Sequence, residues 1–309
     1  MFKTIRALSM LISLLFISYS WCIAGSGTAG NQFLKLPVGA RPTAMGGAFV
    51  GLADDANSIF WNPAGLNQSN NQECISTYTR LYGEINLGNF TFALPVLRGR
   101  GGFGLSYLDV SDIRRNEIGE ELGEFTNRNF LLVAAYAISA KEGLSIGGTA
   151  GFVHSTLENE KSSSLTCNLG LLHKPIEKFS VGVSMLNLGL GSKFIEKRDP
   201  APLEFKVGGA GKLVLYEREL HLVSDISFGS DFKPNLAGGG EFIFNFSEIS
   251  SNLAVRAGYH TRYGWGSLSG FCFGLGFERK LNRFNLSIDV THSFSELGGS
   301  EKGSVGIKF

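Results

Sequence analysis

The sequence predicts an all-β fold, a 14-stranded antiparallel transmembrane β-barrel with a small N-terminal helical hatch. Three observations support this prediction: the composition, an alternation of apolar and polar residues, and a secretory leader. Among 309 residues there are 41 Gly and 25 Phe but only 18% charged residues, which favours strands and turns over a coiled coil or a helical bundle. The 28 Lys and Arg residues balance 27 Asp and Glu residues, so no nucleic-acid partner is expected.

Residues 1–24 are predicted to be a cleaved signal peptide, because two basic residues precede an apolar run from Leu8 to Tyr19. The run falls well short of the roughly 20 residues that a spanning helix needs, which disfavours a permanent anchor. Cys22 would permit a lipoprotein, but the bulky Trp21 before it does not suit that cleavage site. A secreted chain made of strands is expected in the bacterial outer membrane.

Residues 25–71 break the alternation and predict a hatch made of small-residue helical turns. Asp54 is predicted to cap a short helix over 56–61 by accepting backbone N–H groups. The next residues offer a capping Asn, a Pro at the first helical position and a Gly for a left-handed exit. This hatch motif is Asn62, Pro63, Ala64 and Gly65.

Residues 72–309 are predicted to form the barrel, because apolar and polar residues alternate there over about ten positions before each break. The clearest run is 284–295, in which Phe, Leu, Ile and Val alternate with Asn, Ser, Asp and Thr. The predicted strands are 73–81, 86–97, 102–110, 126–138, 143–156, 163–173, 179–189, 202–214, 219–228, 236–244, 252–260, 267–278, 284–294 and 303–309.

The polar faces of these strands carry charges, whereas the apolar faces carry almost none in mid-strand. A charge facing lipid at the bilayer midplane costs about 2–4 kcal/mol, and a barrel interior tolerates it. The segregation therefore favours a membrane barrel over a soluble sandwich. The mixed signs suggest internal salt bridges and hatch docking rather than an ion-selective pore. The predicted lumen network is Glu204, Lys206, Asp225, Glu241, Arg256, Glu278 and Asp289, with Lys212 and Lys308 on the same faces.

The connections support the same topology, because those after even-numbered strands are mostly brief and those after odd-numbered strands are mostly longer. The largest predicted connections are 111–125 and 190–201. The last strand ends in Phe309, which resembles the signal read by the barrel-assembly machinery, although a soluble strand can also end in Phe. Outer-membrane lipid and that machinery are therefore the expected partners.

The N-terminal run from Gly39 to Leu66, which ends in Asn-Pro-Ala-Gly-Leu, resembles the N-terminal segment of PorV/PorQ-type outer-membrane proteins, relatives of the FadL fatty-acid channels. The resemblance implies that this segment is a hatch inside the barrel, with the motif at Asn62 near the periplasmic side. It also implies one of two functions: transport of a hydrophobic ligand, or carriage of secreted-protein cargo to a type IX-like system. A carrier would need an exposed surface on loops such as 190–201.

Catalysis, metal binding and a cofactor are not expected. No Ser lies two positions from any His, and no G-x-S-x-G motif occurs. The cysteines beyond the leader, Cys74, Cys167 and Cys272, are widely separated and lack a neighbouring His at ligand spacing, so free thiols are expected. Tyr263 and Trp265 are predicted to belong to a membrane-interface belt or, alternatively, to a binding patch.

Overall fold

The computed structural model describes residues 29–69, 71–82, 85–116, 118–194, 198–216, 218–230, 233–262, 269–296 and 298–309. The predicted signal peptide at 1–24, Tyr263 and Trp265 lie outside these residues.

The described chain forms one closed antiparallel barrel of 14 strands, which confirms the predicted fold class and strand count. Each strand pairs with its neighbours in sequence, and β1 also pairs with β14 from Glu73↔Lys308 to Arg80↔Glu301, so that the sheet has no free edge. The strands are β1 (Glu73–Arg80), β2 (Asn86–Val96), β3 (Gly99–Arg115), β4 (Glu121–Lys141), β5 (Leu144–Leu157), β6 (Glu160–Ile176), β7 (Phe179–Gly189), β8 (Glu204–Leu215), β9 (Arg218–Gly229), β10 (Pro234–Phe246), β11 (Ser251–His260), β12 (Phe271–Lys280), β13 (Asn285–Ser293) and β14 (Ser300–Lys308).

The predicted connection at 111–125 is wrong, because most of it is strand. β3 continues to Arg115 and β4 begins at Glu121, with the pairs running from Val110↔Asn127 to Arg114↔Gly123. Residues on both faces of this extension are exposed, so apolar and polar residues no longer alternate there. The two strands nevertheless remain paired through their backbones. The two strands form a hairpin that projects beyond the rest of the wall.

The two ends of the barrel differ in their connections. The connections after even-numbered strands are two to four residues long, and we call that side the turn end; those after odd-numbered strands are mostly longer, and we call that side the loop end. The longest loop-end connection lies between β7 and β8, at residues 190–203. The turn end also holds the start of β1 and the end of β14.

The wall separates apolar and polar side chains as the alternation predicts. On β12, Phe273 and Leu275 are about half exposed on the outer face, whereas Cys272, Gly274 and Gly276, which alternate with them, are buried. Among the described residues, no helix is both long and apolar enough to span a bilayer.

The segment before β1 lies inside the barrel. It contains a 3₁₀ helix at Gln32–Lys35, short α-helices at Ala40–Ala44 and Ser58–Trp61, and a 3₁₀ helix at Pro63–Gln68. Its backbone is hydrogen-bonded to strands around the circumference, so the segment fills the lumen as the resemblance implies. These bonds include Ala40 N–H to Ser304 Oγ, Thr291 Oγ1 to Ala40 O, Phe49 and Val50 N–H to Asp225 Oδ2, and Ser180 Oγ to Gly51 O.

Glycines in the wall allow the hatch backbone to approach closely. A Cβ at Gly182 of β7 would overlap the carbonyl oxygen of Val50, and one at Gly258 of β11 would overlap the backbone of Met45. By contrast, a Cβ at Gly211 of β8 would meet nothing within 4 Å. Gly211 faces outward, because its cross-strand partners Phe179 and Leu222 are exposed on the outer face, so the glycines of the wall are not equivalent.

We expect Gly182→Ala to destabilise the protein by about 1–3 kcal/mol, because the added methyl group pushes the hatch backbone away from the wall. The control Gly211→Ala adds a methyl group to the outer face of the wall and is expected to change stability by about 0.5 kcal/mol or less. Urea unfolding in detergent micelles measures both, and equal midpoints for the two variants would contradict this account.

Candidate functional site

The hatch motif is tied to the barrel wall by Asn62. Its Oδ1 accepts the N–H of Ala64 at 3.2 Å, and its Nδ2 donates to Val50 O at 2.9 Å and to Leu171 O of β6 at 3.1 Å. Pro63 takes the first position of the 3₁₀ helix that follows, where its missing N–H leaves no bond unmade. Asn62 therefore caps a helix and joins two parts of the hatch to the wall.

The expected left-handed exit at Gly65 is wrong, because Gly65 lies within the 3₁₀ helix and has no positive φ. A Cβ there would overlap Ala53 O, so the position requires Gly for close packing.

The predicted cap by Asp54 is also wrong. The helix begins at Ser58, its N-cap is Asn57, and no side chain caps it. The Asp54 carboxylate instead binds Arg41, with 2.6 Å between Oδ1 and Nη1. An ion pair in a mostly buried site is a stronger interaction than a neutral backbone N–H can offer.

Arg41 is the centre of a buried cluster of charges. Its Nη1 also lies 3.2 Å from Asp55 Oδ2, and its Nε and Nη2 donate to the two oxygens of Glu241 at 2.9 and 2.8 Å. Burial by itself lowers the pKa of Arg41, but Asp54 and Glu241 outweigh it and hold that pKa well above its ordinary value. Burial opposes ionisation of Asp54 as well, and Arg41 nevertheless holds the pKa of Asp54 below its ordinary value.

Glu241 extends this cluster across the wall. It accepts Arg256 Nε at 2.7 Å and lies 2.9 Å from His221 Nδ1, while Arg256 Nη1 reaches Asp289 Oδ1 at 2.7 Å. The cluster thus connects the hatch with β9, β10, β11 and β13. We call it the Arg41 cluster; its members are Arg41, Asp54, Asp55, His221, Glu241, Arg256 and Asp289.

Other charges of the predicted lumen network lie toward the loop end. Glu204 lies 3.4 Å from Lys206 and 3.1 Å from Arg262, and Arg262 also donates to Lys35 O at 2.9 Å. Asp225 accepts two hatch N–H groups, as described above. Glu278 belongs to neither group, because it accepts a bond from Asn285 near the turn end.

The sequence-based interpretation missed Arg41 and Arg262, since both lie outside the regular alternation. A basic residue in an otherwise small and uncharged hatch was the available signal at Arg41.

One side of the lumen combines buried apolar side chains with buried polar ones such as Asn89, Thr91 and Ser106, whereas the interior of such barrels is typically polar. Inward-facing aliphatic residues of β2–β5 form a column between the two ends, which we call the apolar seam. Hatch residues Phe33, Ile59 and Leu66 are buried against it. The seam consists of Leu87, Ala93, Leu108, Leu131, Val133, Ala135, Ala137 and Val153.

Two lumen cavities lie on opposite sides of the hatch helix Ala40–Ala44. The turn-end cavity has a volume of about 200 Å³, and Arg41 and Asp54 are part of its lining. The loop-end cavity has a volume of about 70 Å³, and Thr43 and Trp61 are part of its lining. Passage between them requires that the hatch move. No group of three or more His, Cys, Asp or Glu residues in the described part of the chain is placed to hold a metal ion.

The fold is similar to that of solved hydrocarbon transporters. A structure of the Pseudomonas putida toluene transporter TodX has a TM-score of 0.60 at 11% identity, covering 93% of this chain and 97% of that one. A Pseudomonas aeruginosa FadL homologue has a TM-score of 0.60 at 8% identity, covering 86% and 96%. The CymD monoaromatic hydrocarbon channel has a TM-score of 0.56 at 11% identity, covering 88% and 97%.

No protein-family model and no characterised relative matches the sequence. The structural likeness shows a FadL-like barrel fold, and no family match supports the narrower PorV/PorQ resemblance.

We expect Arg41→Met to destabilise the protein by about 3–5 kcal/mol, because Glu241, Asp54 and Asp55 lose their shared cation inside the barrel. Limited proteolysis of the hatch and urea unfolding measure the effect. The control Lys212→Met breaks the 2.6 Å pair with Glu219, whose partners are 40% and 31% exposed, and is expected to cost about 1 kcal/mol or less. Similar losses of stability in both variants would show that Arg41 does not hold the hatch on the wall.

We expect Asn62→Asp to cost about 1–3 kcal/mol, because a carboxylate cannot donate to Val50 O or Leu171 O. Asn67→Asp is the control. Among the described residues, Asn67 donates only to Ser145 Oγ, at 3.0 Å, and that hydroxyl can reverse the bond by donating to a carboxylate. Unfolding midpoints of the two variants measure the difference in stability. If Asn67→Asp loses as much stability as Asn62→Asp, the proposed role of Asn62 is refuted.

Proposed function

We propose that this protein is an outer-membrane channel for hydrophobic solutes, in which the apolar seam is the path and the hatch is the gate. The proposal rests on the apolar side chains of the seam. In the closed barrel these side chains on four adjacent strands pack against the hatch, and once the hatch moves they lower the free energy of an apolar solute that passes between them.

Hatch side chains pack against the seam at several positions along the barrel axis. Phe33 is buried against it in the N-terminal 3₁₀ helix, while Ile59 and Leu66 come from the later helices. A solute that displaces these side chains exchanges one apolar contact for another, so the free-energy cost of opening is small. The Arg41 cluster and Asn62 hold the rest of the hatch on the wall during such a movement.

The outer-membrane location is part of the proposal. The outer face carries an apolar belt and the connections at one end are short, and both features agree with the leader predicted at 1–24. In this orientation the turn end faces the periplasm and the loop end faces outward. The barrel-assembly machinery would then recognise the strand that ends in Phe309.

Toluene uptake by a bacterial host that lacks such channels tests the proposal. We expect expression of the chain to raise the initial rate of labelled toluene uptake. The double variant Val133→Thr and Val153→Thr is expected to lower that gain about fivefold, which corresponds to roughly 1 kcal/mol along the path. Both substitutions preserve side-chain shape while adding hydroxyl groups to the seam.

Thr166→Val is the matched control, because Thr166 lies on β6 outside the seam and its Oγ1 has no hydrogen-bond partner in the described part of the chain. Its uptake rate should equal that of the unmodified protein. Surface amounts of folded barrel are compared for all three proteins. No uptake above that of empty cells, with folded barrel present, would refute the channel.

A second candidate function, a carrier of secreted proteins, is supported by the projecting β3–β4 hairpin. Ile118 and Leu122 are 80% and 60% exposed near its tip, where an apolar surface can meet a partner. In the described part of the 190–203 connection, Gly191 and Ser192 are buried and Pro200 O accepts the Gly30 N–H, which ties this part to the hatch. Purification in mild detergent with mass spectrometry separates the candidates: stoichiometric secreted proteins favour the carrier, and a bound apolar molecule alone favours the channel.

A further inference from the structure

The end of β12 and the connection that follows it carry several positive charges and no negative one. Residues 279–283 read Arg-Lys-Leu-Asn-Arg, and Arg279, Lys280 and Arg283 are all exposed at the turn end. None of these cations forms an ion pair with a residue in the described part of the chain. We call residues 279–283 the basic turn.

Other lysine-bearing turns at the same end of the barrel contain an acid. Lys141 is followed by Glu142 where β4 meets β5, and Lys174 and Lys178 lie on either side of Glu177 where β6 meets β7. An adjacent carboxylate offsets part of the positive potential of a lysine. The basic turn lacks such an offset within its own residues.

The basic turn lies beside the connection between β10 and β11, where Lys280 N–H donates to Ser250 O at 2.9 Å. That connection contributes one exposed acid, Glu248. Even with this carboxylate included, the two neighbouring turns together keep a net positive charge.

Arg279 lies on the outer face of the wall, at the edge of the apolar belt. It follows Phe277 by two positions, Phe277 is 44% exposed on that face, and the cross-strand partner of Arg279 is Leu286 of β13. Glu278, between Phe277 and Arg279, lines the turn-end cavity inside the barrel. The Arg279 side chain therefore borders the surface that meets acyl chains in a bilayer.

Aromatic side chains continue the apolar surface next to the basic turn. Leu281 N–H donates to Phe284 O at 2.8 Å and closes the turn, and the Phe284 ring lies 6.4 Å from that of Phe309. Phe309 is itself 59% exposed. Basic side chains next to exposed rings at the edge of an apolar belt are typical of the headgroup region of a bilayer.

We propose that the basic turn binds the headgroup of an anionic phospholipid, with the lipid phosphate on the Arg279 guanidinium and an acyl chain along Phe277. A guanidinium suits this role because its N–H groups match the oxygens of a phosphate. Lys280 and Arg283 add to the positive potential, and clustered cations at a membrane edge attract anionic headgroups. The inference rests on the proposed membrane location and not on the proposed hydrophobic path.

Native mass spectrometry of the full-length purified barrel in an uncharged detergent tests the proposal. The probes are dioleoyl phosphatidylglycerol and dioleoyl phosphatidylcholine, added together in equal amounts, because they share their acyl chains and differ in net charge. We expect the barrel to retain phosphatidylglycerol at least about fivefold more than phosphatidylcholine. This preference should fall by about half or more when ammonium acetate is raised from about 0.1 to about 0.5 M, because salt screens exposed charges.

The triple variant Arg279→Gln, Lys280→Gln and Arg283→Gln is expected to retain the two lipids about equally. The matched control is Lys141→Gln, Lys174→Gln and Lys178→Gln, which removes the same number of exposed cations from the same end of the barrel. Its preference for phosphatidylglycerol should stay within about twofold of that of the unmodified protein. All six positions are exposed, so both variants should fold, which circular dichroism checks.

Glycerol 3-phosphate distinguishes a lipid site from a site for free phosphate. Up to about 10 mM, it should not displace phosphatidylglycerol, because it lacks the chains that lie along Phe277. Lipid retention is measured without any solute uptake, so its outcome is independent of the toluene experiment.

Three results would overturn the proposal. They are equal retention of the two lipids by the folded unmodified barrel, an equal loss of preference in the two triple variants, and displacement of phosphatidylglycerol by glycerol 3-phosphate.

Discussion

Closure of the sheet is the constraint on which the rest of this structure depends. A barrel wall in lipid can leave no backbone N–H or C=O unpaired, and β1 meets both β2 and β14 to satisfy this condition. Closure places alternate residues inside and outside on every strand. The inward side chains must then fill or line a lumen, and in this protein the hatch fills most of it. Small residues such as Gly182 and Gly258 face the hatch because its backbone touches the wall there.

The hatch is held by charge as well as by packing. The Arg41 guanidinium binds carboxylates from its own segment and from β10. Glu241 in turn contacts Arg256 and His221. A buried ionic cluster of this kind adds little net stability over an apolar core, since its members lose their hydration. The cluster instead fixes the position of the hatch. The Arg41 guanidinium can reach all of these carboxylate oxygens in only one placement of the hatch.

The lumen has two chemically different halves, and the proposed hydrophobic path lies in one of them. The apolar seam on β2–β5 suits solutes that avoid water. The charged half on β8–β14 holds the hatch and contains the loop-end cavity with Asp225 and Lys302. The hatch contacts both halves through residues close in sequence, such as Phe33 in the seam and Pro37 on Lys302. An event in one half can therefore influence the other through the hatch.

The sequence by itself determined the strand count, the faces of the strands, the alternation of short and long connections and the capping role of Asn62. These features depend on local spacing, because a period of two marks a strand wherever it lies. Tertiary structure decided the features that join distant residues. Asp54 binds Arg41 instead of a helix end, Arg41 meets Glu241 across 200 positions, and 111–125 continues as paired strand. Register around the closed sheet decides which inward side chains share a height, and no local pattern encodes that register.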